Sequence, residues 1–78
     1  MAQFSELQTV VLRRDLTEHG LEAGDLGAIV LVHEPTGFDV EFVSASGRTE
    51  ALVTLDEADV RAVADGDIVS VRRLDRSV

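Results

Sequence analysis

Leu21-Glu22-Ala23-Gly24-Asp25-Leu26-Gly27-Ala28-Ile29-Val30-Leu31-Val32-His33-Glu34 is the stretch that decides the fold. A turn at Gly24-Asp25 feeds the longest apolar run in the chain, and proline follows shortly after its end. A Val/Ile/Leu-rich run of this length between turn residues reads as a strand. Its two faces are residues 26, 28, 30, 32 and residues 27, 29, 31, 33, and both are largely apolar. A sheet with one wet face normally alternates apolar and polar residues. The second face is therefore expected to be covered, by a loop of the same chain or by another subunit.

Pro35-Thr36-Gly37 returns the chain as a hairpin turn, the proline with its φ preset and the glycine tolerating the tight return. Phe38-Asp39-Val40-Glu41-Phe42-Val43 follows with strict alternation: Phe38, Val40 and Phe42 face a core, Asp39 and Glu41 face water. Upstream, Leu7-Gln8-Thr9-Val10-Val11-Leu12 is a first strand. Residues 15–25 form a loop excursion containing one helical turn, Thr17-Glu18-His19-Gly20, with Thr17 capping and Gly20 left-handed. Gly24 is expected at positive φ. Downstream, Ser44-Ala45-Ser46-Gly47-Arg48 turns into a fourth strand, residues 49–55. Asp56 then caps a single helical or 3-10 turn, Arg61-Ala62-Val63 is a short pairing segment, and residues 64–67 turn into a last strand, residues 68–74. Residues 1–5 and 75–78 are expected to fray. The sum is one all-β domain over residues 1–78. It is a small five-stranded SH3-like barrel with one short helical or 3-10 turn before the last strand.

A chain of 78 residues without cysteine has neither disulfides nor thiolate metal sites to reinforce a small core. Self-association or a protein partner is the expected reinforcement. The net charge is -8, and all seven basic residues are arginine. Lysine, asparagine and tyrosine are absent, a usage expected of a G+C-rich, bacterial coding sequence. The negative balance disfavours nucleic acid, whose phosphates require a basic footprint, and suits a basic protein partner. Residues 1–7 lack a signal-peptide pattern, and no run approaches the roughly 20 apolar residues of a membrane span. A cytoplasmic location and no membrane contact are expected.

The ordered set Thr9-Val10-Val11-Leu12, Arg14-Asp15-Leu16, residues 21–27, Val40-Glu41-Phe42, Val53-Thr54-Leu55 and Asp59-Val60-Arg61 resembles the DUF4926 family of small bacterial proteins. The resemblance spans nearly the whole chain. It implies a stand-alone SH3-like barrel of uncharacterised function and carries over no catalytic residues. The Gly24-Asp25-Leu26-Gly27 turn is also similar to that of KOW modules, which bind RNA or ribosomal proteins. This chain departs from them in lacking a basic surface and base-stacking aromatics.

No catalytic residue, cofactor or small-molecule substrate is expected. His19 and His33 with Glu18 or Glu34 would need to converge to hold a metal, and read instead as unrelated surface residues. Ser44, Ser46 and Ser70 lack a positioned base. The glycine turn lacks the lysine and helix of a phosphate loop. Two surfaces remain. Val11, Ile29, Leu31 and Val53 are the candidate partner or dimer interface, as an apolar patch on the far side of the sheet. Asp56, Glu57, Asp59, Asp65 and Asp67 are the candidate acidic partner surface. Arg72, Arg73 and Arg76 are expected to pair with carboxylates of a neighbouring strand. The expected function is a non-enzymatic protein-interaction module; a narrower form is an acidic antitoxin or immunity-type protein masking a basic partner. The alternatives are an accessory subunit of a larger enzyme and a KOW-like nucleic-acid-associated domain, the latter disfavoured by charge.

Overall fold

A computed structural model of the chain describes residues 4–33 and 35–74. It is all-β. The strands are β1 (Thr9–Leu12), β2 (Leu26–Val32), β3 (Phe38–Val43), β4 (Thr49–Leu55) and β5 (Val60–Ala62). They form one antiparallel sheet in the order β4-β3-β2-β1-β5, consistent with a small barrel. A first 3-10 turn (Thr17–His19) lies in the long loop after β1, and a second (Glu57–Asp59) precedes β5.

The turns follow from local chemistry. Gly37 and Gly47 take φ of 108° and 88° in the β2–β3 and β3–β4 hairpins, a region that disfavours a side chain. Gly20 closes the first 3-10 turn at φ 71° and donates its N–H to the Thr17 carbonyl. Thr17 itself opens that turn without capping it: Leu16 stands at the cap position and no side chain bonds there. The second turn has a full capping box. The Asp56 carboxylate accepts the Ala58 N–H at 2.8 Å, and the Asp59 carboxylate accepts the Asp56 N–H at 3.1 Å.

Register places the core. Ile29, Val40 and Val53 are aligned across β2, β3 and β4, and Val10 is aligned with Gly27 across β1 and β2. These residues pack with Leu12, Phe38, Phe42, Leu55 and Val60. The loop of residues 15–25 adds Leu16 and Leu21, themselves joined by a β-bridge, so it folds onto the core and not across the far face. Phe4 is buried as well, edge-on to Phe38 at 5.3 Å between ring centroids. The expected fraying of residues 1–5 therefore does not extend to Phe4; that of residues 75–78 lies outside the described residues.

Two expectations are corrected. The last strand is β5, the short pairing segment after the second 3-10 turn, and residues 68–74 belong to no strand. The turn delivers the chain directly to the free edge of β1, where Val10, Val11 and Leu12 are aligned with Ala62, Arg61 and Val60. The Arg13 N–H to Asp59 carbonyl bond and the Arg14–Asp59 ion pair, both 2.8 Å or shorter, fasten that approach. The second correction concerns β2. Its pairing with β3 shifts between Ile29 and Leu31, so Val30 is an extra residue. Such a bulge reverses the alternation of the strand beyond it. Gly27, Ile29 and Val32 thus share the core side, and the other face of β2 carries Leu26, Ala28 and Leu31, with Leu26, Val30 and Leu31 substantially exposed.

Candidate interaction surface

The four residues expected to form a far-side patch do not share a face. Ile29 is 0% exposed in the core, and Val53 packs against that core. Val11 is on the opposite side of β1, aligned with Leu26 and Arg61, yet buried. Leu31, at the bulge, is 45% exposed. Val11 is covered by the chain's own C-terminal segment: it lines a hollow of about 160 Å³ together with Leu26, Val63 and Ile68.

That C-terminal segment is what the sequence reading missed as a separate structure. It is held at two points. At its start, residues 64–67 form a turn in which the Asp67 carboxylate accepts the Ala64 N–H at 2.7 Å and two bonds from the Arg61 guanidinium at 2.9 Å each. The Arg61 bonds, then the Ala64 N–H, pull the Asp67 carboxyl down to about 2. At its far end, Arg72 reaches the loop before β2. It donates to both Asp25 carboxylate oxygens, at 2.8 and 2.6 Å, and to the Gly20 carbonyl at 3.0 Å, with Glu22 3.6 Å away. Burial alone would raise the Asp25 carboxyl, but the Arg72 bonds, the Glu22 N–H and the Arg72 charge together hold it below the usual range. The expected arginine pairing is thus met at Arg72, by a loop and not by a neighbouring strand. Arg73 forms no ion pair with another described residue, and Arg76 lies outside them.

Between the two tethers the segment makes no backbone hydrogen bond to another described residue. Ile68, Val69 and Val71 are 91%, 70% and 97% exposed. Residues 70–74 stand off the sheet and leave an open groove of about 610 Å³. Leu21 and Phe42 floor it, Leu26, Val43 and Ala45 give its sheet side apolar surface, and Asp25, Glu50, Arg72 and Arg73 add charged groups to the lining. The pattern of alternating valines beside two arginines was visible in the sequence, but it also fits a paired strand.

The expected acidic surface is largely spent on structure. Asp56 and Asp59 cap the second 3-10 turn, Asp59 also holds Arg14 at 2.7 Å, and Asp67 holds Arg61. The Arg14 bond lowers the Asp59 carboxyl against the opposing effect of burial. Asp56, Glu57 and Asp65 are exposed, and of the five only Glu57 and Asp65 make no side-chain bond to another described residue.

Of the two histidines, His33 lies 2.9 Å from the Asp39 carboxylate, which also accepts the Thr54 hydroxyl at 2.7 Å. The Thr54 and His33 bonds lower the Asp39 carboxyl. The hydroxyl thus points at the acid and not at the imidazole, the reverse of what activates a nucleophile. Among the described residues no three His, Cys, Asp or Glu side chains cluster as metal ligands. No helix among the described residues is long and apolar enough to cross a membrane.

The family model described as "Domain of unknown function (DUF4926)" matches residues 6–62, from just before β1 to the end of β5. No curated protein and no solved structure matches the chain.

Proposed function

The chain belongs to the DUF4926 family, and from that premise we propose that it is a non-catalytic protein-interaction module, an SH3-like barrel working in a bacterial cytoplasm. The observation that carries this reading is the groove between the sheet and residues 70–74. It has an apolar floor and apolar residues on its sheet side, with charged groups in its lining, within the size range of sites that take a peptide side chain or two. Exposed apolar surface grouped in this way favours an interface over random exposure. The groove is a better docking surface than the acidic corner, where three carboxylates are already engaged in caps and ion pairs. This moves the proposal away from charge masking of a basic partner and toward an apolar contact with charged groups beside it.

The test is retention of a defined protein from native lysate of the source organism by the immobilised chain. Leu26→Asp and Val43→Asp place a carboxylate on the sheet side of the groove, where both side chains are already substantially exposed. The expected result is a protein retained by wild type and lost by both variants, with unchanged circular dichroism. Identical retention profiles for wild type and variants would overturn the groove as a docking surface.

A further inference from the structure

We infer that residues 67–73 are a self-recognition segment, through which two copies of the chain associate by antiparallel pairing about Ser70. The inference rests on the interaction-module reading and names the partner as a second copy. Its starting point is a conflict between sequence and placement. Ile68-Val69-Ser70-Val71 has the composition of a strand, yet it is assigned to no strand and its apolar side chains are nearly all in water. Unpaired backbone of this kind is a template for strand addition. The guards natural edges use, lysine, proline or an inward charge, are missing between residues 68 and 71.

The choice of a second copy comes from charge. In an antiparallel pair centred on Ser70, residue 67 meets 73 and residue 69 meets 71 of the other copy. One face of the pair then carries Asp67, Val69, Val71 and Arg73. Opposite them stand Arg73, Val71, Val69 and Asp67, so two ion pairs bracket four valines. No like charges meet in this register, the arrangement that favours cross-strand pairs. Arg73 has no ion pair of its own among the described residues, and the Asp67 carboxylate has acceptor capacity beyond its three bonds. The other face carries Arg72, which remains on Asp25. The segment holds one acid and two arginines in a chain of net charge -8, so two copies approach there with less repulsion than elsewhere. Both ends are already tethered, at Asp67 and Arg72, which lowers the ordering cost of association.

The chain has no cysteine, so a single introduced thiol reports on this geometry. Ser70 is on the two-fold axis, where facing Cα atoms of an antiparallel pair fall within disulfide range. Under mild oxidation, Ser70→Cys is expected to form covalent dimers at least about tenfold faster than Thr36→Cys in the exposed β2–β3 turn. Sedimentation equilibrium should show reversible wild-type dimers, weakened by roughly tenfold or more in Val71→Asp and measurably in Arg73→Asp. Equal oxidation rates, or a dimer unaffected by Val71→Asp, would overturn the pairing. A wild-type chain that is monomeric throughout, yet retains a lysate protein through its groove, would overturn the pairing and leave the interaction module standing.

Discussion

At Gly27 an added methyl group would lie 2.6 Å from Val40 Cγ1 and 2.9 Å from Phe42 Cε2. Both neighbours are buried and have little freedom to move away. Gly27→Ala is therefore expected to cost about 1–3 kcal/mol, as overpacking of a tight core does. Gly66 offers a control, because a methyl there meets open space and its backbone is not left-handed. Gly66→Ala should stay within about 1 kcal/mol of wild type. Urea denaturation at constant slope measures both. The sequence placed Gly27 in the turn motif and on one face of the strand, with no sign of why it must be glycine. Its actual constraint is the width of the gap between β2 and the side chains of β3, which no local pattern encodes. Gly24, by contrast, was legible from its place before Asp25 and takes φ of 98° as expected.

At the scale of elements, the second 3-10 turn sets where the sheet ends. Asp56→Ala removes the acceptor of the Ala58 N–H and is expected to cost about 1 kcal/mol. Amide exchange should quicken first in β5, which starts where the turn ends. β1 through β4 were readable as runs of apolar and β-branched residues between turn residues, and β3 also by its strict alternation. The faces of β2 and the identity of β5 were not. In β2 the extra residue Val30 resets the alternation, and a bulge has no signature in a run that is apolar throughout. In β5, residues 68–74 have the stronger strand composition, but Val60–Ala62 reaches the edge of β1 first. Ion pairing at the C-terminal segment brings a pH dependence. The Asp67, Asp25 and Asp59 carboxyls sit below their usual values in the folded chain. Their contribution is present above the unfolded carboxyl range near pH 4 and is lost as pH falls toward the folded value, about 2 for Asp67. Urea midpoints of wild type should drop across that window, and an Arg61→Ala/Arg72→Ala double variant should show a shallower fall.

For the whole molecule, the core is complete before the C-terminal segment begins. The residues that form it run from Phe4 to Val60, and the family match closes at residue 62. A chain ending at residue 63 is expected to keep its β-type circular dichroism and a cooperative unfolding transition. It should lose about 1–2 kcal/mol, chiefly from uncovering Val11. Failure to unfold cooperatively would show that residues 64–74 belong to the folding unit. The expected outcome divides the molecule into the five-stranded sheet that the family match spans and a segment that carries its most exposed valines.

The pairing of β1 with β5 has a consequence for how such a domain can be wired. Val10 is in register with Ala62, so the first strand begins beside the point where the last one ends. The polypeptide leaves the sheet where it entered it. A bridge from residue 62 back to residue 4, keeping Phe4, would close the core into a ring, and the chain could then be opened anew at the exposed Ser46-Gly47 turn without breaking a strand. By the same geometry the whole barrel can sit as a bud inserted in a loop of another protein, its two stalks side by side.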